Sequence, residues 1–113
     1  MAIKVTSDST CDLPAELLLR HGIELLPLTI IKGGAPFKDG VEITPPDIFR
    51  HVDAGGEITT TSAVSVGEYH DCFARLSPRN EAVIHVSLGA NFSSCHQNAC
   101  IAAESFDNVY VAD

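Results

Sequence analysis

Ala82-Val83-Ile84-His85-Val86 is an almost wholly apolar run with no alternation of polar and apolar positions, so a strand built from it has both faces out of water. Such strands belong to parallel sheets covered by helices, and parallel neighbours must be joined by crossovers long enough to hold a helix. The rest of the chain supplies these parts. Residues 3–7 read as a first strand, followed by a polar loop over 8–12. A helix then opens at Pro14, with Leu13, Leu17 and Leu18 at helical spacing and Arg20, His21 and Gly22 as end signals. The β-branched and leucine-rich run 23–31 predicts a second strand buried on both faces. Lys32-Gly33-Gly34-Ala35 predicts a hairpin turn that returns through Phe37-Lys38-Asp39-Gly40.

Thr44-Pro45-Pro46-Asp47 caps a short helix carrying Ile48, Phe49 and Val52, stopped by Gly55-Gly56. A short strand follows over 58–61. Ser65 and Glu68 form a capping box for a helix whose apolar stripe is Tyr69, Phe73 and Leu76. After the strand 82–86 comes a loop over 87–92. Ser94 and Gln97 then form a second box, opening a helix that runs to about Glu104, and 108–112 is the last strand. Apolar strands alternating with capped helices predict an α/β domain, a parallel sheet with helices on both faces.

The 113 residues suit one domain. Surface scaling gives a folded area of about 6,000 Å² against about 17,000 Å² unfolded, enough burial for a core without metal or disulfide staples. With 15 Asp and Glu against 7 Lys and Arg, the chain lacks the basic face that nucleic-acid binding requires. The apolar run 25–31 is far too short to span a bilayer, and Met-Ala-Ile-Lys leads into strand-like sequence with no signal-peptide core. The expectation is a soluble, cytoplasmic protein. Cys11, Cys72, Cys95 and Cys100 include no Cys-x-x-Cys pair, so they read as thiols. Cys95, His96 and Cys100, with His70 and Cys72 elsewhere, would reach a metal only in a favourable helix phase, and adjacent helical positions diverge by about 100°. No metal and no cofactor is expected.

In open parallel sheets ligands bind beyond the carboxyl ends of the strands, near the point where strand order reverses. Three expected strand ends are rich in hydroxyls: Ser7-Asp8-Ser9-Thr10, Thr59-Thr60-Thr61-Ser62 with Ser65, and Ser87 with Ser93-Ser94. Helix N-termini there offer free N–H groups to an anion, and hydroxyls without a neighbouring Lys or Arg suit one carboxylate better than a triphosphate. Caps and turns account for many of these residues, Ser65 among them, whereas Ser93 is left over because Ser94 serves as the cap. No Gly-x-Ser-x-Gly, P-loop or dinucleotide fingerprint occurs. Cys95, in a helix's first turn, is the one nucleophile to consider, but His96 beside it would point elsewhere, and a packed thiol remains the alternative. Asp8 reads either as a general base or as an acceptor for a loop N–H.

Four motifs in order resemble one family. Ser7-Asp8-Ser9-Thr10-Cys11-Asp12-Leu13-Pro14 resembles the opening DST-x-DLP of DegV proteins. Pro27-Leu28 resembles their second strand and Phe37-Lys38-Asp39 their Y-x-D hairpin. Thr61-Ser62-Ala63-Val64-Ser65 resembles TSQPS, and the stretch from Ser87 to Ala99 lies over SISSKLSGTYQSA. The resemblance covers residues 1–113 as a DegV-like N-terminal α/β lipid-binding domain, with the family's second domain absent from this chain. It implies binding of a long-chain fatty acid, its tail buried and its carboxylate presented to a separate ATP-dependent fatty acid kinase subunit. The domain itself would then be no enzyme. Thr61 and Ser93 match the pair that binds the carboxylate, with Ser62, Ser94, Cys95, Asp8 and Ser9 as secondary contacts. Ser94 and Cys95 stand where the family has Gly and Thr, which puts a side chain where backbone would approach the ligand. Ile23, Leu25, Ile84, Tyr69, Phe73 and Ile101 are candidates to line a tail slot or to be plain core. The alternative from another class is an enzyme of similar α/β architecture acting on a small phosphorylated or carbonyl substrate.

Overall fold

The computed structural model describes residues 2–87, 89 and 94–113. The strands are β1 (Ile3–Asp8), β2 (Glu24–Leu26), β3 (Thr29–Lys32), β4 (Ala35–Lys38), β5 (Thr60–Ser62), β6 (Ala82–Val86) and β7 (Val109–Ala112). The helices are α1 (Ala15–His21), α2 (Pro45–Asp53), α3 (Val66–Leu76) and α4 (Cys95–Ala103). β2-β1-β6-β7 form a four-stranded sheet that is parallel throughout. The chain steps one way from β1 to β2 and the other way from β6 to β7, so right-handed crossovers put α1 and α4 on opposite faces. The expected α/β architecture is therefore present. α3 and α4 pack together over the sheet, and the core between them holds Tyr69, Phe73, Leu76, Val83, Cys95, Ala99, Ala102 and Val109.

A second sheet was not anticipated: β4-β3-β5, antiparallel. It corrects the single strand expected over 23–31. That run is two strands in two sheets, β2 at the edge of the parallel sheet and β3 at the centre of the antiparallel one. The break falls at Pro27-Leu28, where proline has no N–H to extend a ladder. Leu26, Leu28 and Ile30 are buried, which is why the run looked continuous. The strand expected over 58–61 is also displaced, to β5, because Thr61 pairs with Ile30 while Ile58 is 83% exposed. The β3–β4 hairpin forms as expected, with Gly33 and Gly34 at φ 60° and 79°, the two positive angles of its tight turn.

The two capping boxes fare differently. Ser65 Oγ accepts from the Glu68 N–H at 3.1 Å, and Ser65 N–H donates to Glu68 Oε1 at 3.4 Å, so α3 opens as its sequence predicts. At α4 the expected box is absent. Ser94 has helical angles (φ −76°, ψ −1°) and makes no side-chain cap, because a capping hydroxyl reaches the next N–H groups only from extended backbone.

Candidate functional site at the sheet reversal

Strand order reverses between β1 and β6, and their carboxyl ends, lined by Ser7, Asp8, Thr10, Cys11 and Ser87, border a cleft of about 350 Å³. A second cleft of about 550 Å³ shares Thr10 and Cys11 and continues to Leu25 and Asp39. The 3-10 turn Ser9–Cys11, which follows β1, is thus the wall between them. Both volumes lie in the range that holds small ligands, about 300–1,000 Å³.

Beneath the first cleft lies a polar network in the middle of the core. Register pairs Thr6 with His85 across β1 and β6, and Thr6 Oγ1 shares a 2.8 Å hydrogen bond with His85 Nδ1. The Tyr69 hydroxyl donates to Asp8 Oδ1 at 2.5 Å, and His85 Nε2 lies 3.3 Å from the same oxygen. Thr6, Tyr69 and His85 are wholly buried and Asp8 is 1% exposed. The His85 ring stands edge-on to Tyr69 and Phe73, centroids 5.0 and 5.9 Å apart. Burial, then the Asp8 carboxylate, then the Cys95 thiol push the Tyr69 phenol far above its ordinary value, so it serves only as a donor.

Ser9 lies at the junction of the two sheets. Its hydroxyl donates to Asp39 Oδ2 at 2.7 Å and accepts from the Leu28 N–H at 3.1 Å. Thr61 and Ser62 lie exposed on β5, in the antiparallel sheet rather than at a parallel strand end. Ser94 is exposed at the start of α4, while Cys95 is wholly buried. Ser93 lies outside the described residues. Asn98 Nδ2 donates to the Val64 carbonyl at 2.9 Å, tying the second turn of α4 to the segment that continues from Thr61 and Ser62. Lys38 Nζ, reaching Glu68 at 2.7 Å, links the antiparallel sheet to α3. The structure therefore gathers Asp8 and Ser87 at the reversal, places Ser9 at the junction of the two sheets, and joins the 61–65 segment to α4.

Of the apolar candidates for a tail slot, Tyr69 and Phe73 are wholly buried in the core and Ile101 is 43% exposed. Leu25 lines the 550 Å³ cleft and a further one of about 430 Å³ between β2 and α3. Sequence reasoning missed Thr6, His85, the Tyr69 hydroxyl and Asn98. The signal was a histidine inside the otherwise apolar β6, and its pairing with Thr6 is legible only once β1 and β6 are known to be neighbours. Among the described residues no group of three or more His, Cys, Asp or Glu is placed to hold a metal, and no helix is long and apolar enough to cross a membrane.

The structure is an α/β domain with a cleft at the reversal point of its parallel sheet and a separate three-stranded antiparallel sheet. The family model described as "Uncharacterised protein, DegV family" matches residues 2–113, and the chain belongs to that family. A DegV domain-containing protein of Clostridium acetobutylicum is 32% identical over 106 residues, 94% of this chain and 38% of the relative. A DegV family protein from Thermus thermophilus, described for its fatty acid binding, superposes with a TM-score of 0.91 at 33% identity, covering 100% of this chain and 41% of that one. A stearic acid-binding protein from Eubacterium ventriosum gives 0.87 at 32% identity, covering 100% and 41%. The chain thus spans about two fifths of the length of these proteins.

Proposed function

We propose that residues 1–113 act as the N-terminal, acyl-binding domain of a two-domain cytoplasmic carrier, which holds a long-chain fatty acid and presents its carboxylate to a separate ATP-dependent kinase subunit. The observation that carries the reading is the bond from Asn98 to Val64. It ties the hydroxyl-bearing segment 61–65 to α4, the helix that follows β6. The Thermus and Eubacterium proteins, described as binding fatty acids, support the ligand class. Thr61 and Ser93 are the assigned carboxylate contacts, with Ser62 and Ser94 beside them. Phosphoryl transfer belongs to the partner, so the domain's part is binding and orientation.

The energetics divide the work. Each buried methylene is worth about 0.8 kcal/mol, so an acyl tail supplies most of the affinity. Hydrogen bonds to the charged head add about 1.5–3 kcal/mol each and fix its direction. Thr61→Ala and Ser93→Ala are each expected to weaken binding by about ten- to a hundredfold. The test is mass spectrometry of lipid extracted from the purified protein, followed by titration with a fluorescent fatty acid displaced by stearate. Stoichiometric long-chain acid and weakened variants support the reading. An empty protein that takes up no probe overturns it, and unchanged affinity in both variants removes the two contacts.

A further inference from the structure

Cys100 and His96 stand one helical turn apart on α4, and the Cys100 Sγ lies 3.5 Å from His96 Nε2. The other ring nitrogen, Nδ1, shares a 2.8 Å hydrogen bond with Ser87 Oγ at the end of β6. Thiol, imidazole and hydroxyl form one chain, in the order nucleophile, base, orienting group that activates cysteines elsewhere. A thiol that donates to Nε2 requires the ring proton on Nδ1, and Nδ1–H then donates to Ser87 Oγ. Ser87 is 9% exposed, so this end of the ring is held by buried structure, while Cys100 is only half-buried.

We propose that Cys100 is a reactive thiol, with His96 as its base and Ser87 as the positioning residue, that exchanges with small disulfides. His96 Nε2 takes the thiol proton as the sulfur attacks. A bond forms between Cys100 Sγ and one sulfur of the reagent, the reagent's own S–S bond breaks, and the departing thiolate leaves with the proton from His96. One disulfide and one thiol stand on each side of the equation. Ser87 also lines the cleft at the sheet reversal, so a group attached to Cys100 acts on a cleft hydroxyl through a single imidazole. The inference is independent of the fatty-acid reading.

The other cysteines provide internal controls. Cys95 is wholly buried and Cys72 is 6% exposed, with the Cys72 thiol pushed up to about 11 by burial and by Glu24. Cys11 is half-buried like Cys100 and makes no histidine contact among the described residues. The chain is treated with hydroxyethyl disulfide, a neutral probe that its charge of −8 does not repel. Labelling is followed at each cysteine by peptide mass spectrometry across a pH series. Cys100 is expected to react about tenfold or more faster than Cys11 near neutral pH, and His96→Gln to remove that advantage. In Ser87→Ala the pH profile of the Cys100 rate is expected to move, as a ring free to change tautomer requires. A Cys100 rate no greater than that of Cys11 in the unsubstituted chain overturns the proposal whatever the variants do. A full rate in folded His96→Gln also overturns it, and an unmoved profile in Ser87→Ala takes Ser87 out of the chain.

Discussion

Asp8 shows how much one residue of strand length decides. Ending the first strand at Ser7 leaves Asp8 in a loop, where an aspartate usually accepts from a nearby N–H. β1 in fact runs through Asp8, and the carboxylate turns into the core to meet the Tyr69 hydroxyl. A buried acceptor needs its donor, because lost hydration is not recovered when the partner is removed. Tyr69→Phe keeps the ring against Phe73 and His85 and deletes the hydroxyl, with its donation to Asp8 and its interaction with Cys95. It is expected to cost about 1–3 kcal/mol, read as a lower urea midpoint with an unchanged slope. An unshifted midpoint would mean that Asp8 is satisfied without Tyr69.

Elements were legible where local chemistry dictates backbone. The α3 start was readable because Ser65 and Glu68 satisfy each other within one turn. The same pattern at Ser94 and Gln97 failed, since Ser94 itself has helical angles, from which its hydroxyl does not reach the next N–H groups. The apolar run 23–31 failed for a different reason: hydrophobicity reports burial, and the run is buried in two sheets in turn. Between elements, the tie from β2 to α3 is Glu24 with Arg75. Partial burial raises the Glu24 carboxyl, but the Arg75 hydrogen bond and charge outweigh it and hold it below its ordinary 4.5. Glu68 is lowered likewise, its burial outweighed by Lys38 and Ser65. A lowered folded value means that these contributions are complete above the unfolded value and are lost as pH falls through the folded one. The stability that these two carboxylates contribute is therefore expected to hold from neutral pH to about 5.5 and then to fall. Glu24→Gln should be less stable at neutral pH and lose less on acidification, converging with the parent in acid. A parallel fall in both proteins would show that Glu24 carries none of the pH dependence.

At the scale of the molecule, the radius of gyration is 15.1 Å and the extents are 49 × 29 × 22 Å, against about 13 Å expected for a compact domain of this length. The excess is consistent with the antiparallel sheet standing beside the parallel one instead of on it. α2 has no fully buried residue, with Phe49 65% exposed. The core cluster takes Leu28 from just before β3, but most of it belongs to the parallel sheet and its helices. Polar ties hold much of the junction: Ser9 to Asp39 and Leu28, Lys38 to Glu68, and Asn98 to Val64. Sheets joined this way open separately, since local stability follows buried apolar contact. Amides of β3 and β4 are expected to exchange with solvent hydrogen well before those of β1 and β6. Ser9→Ala removes the hydroxyl that both donates to Asp39 and receives the Leu28 N–H, so it should speed exchange in β3 and β4 by about fivefold or more while leaving β6 unchanged. If β6 accelerated equally, the two sheets would unfold as one unit, and the cleft walled by Ser9–Cys11 would be as rigid as the core beneath it.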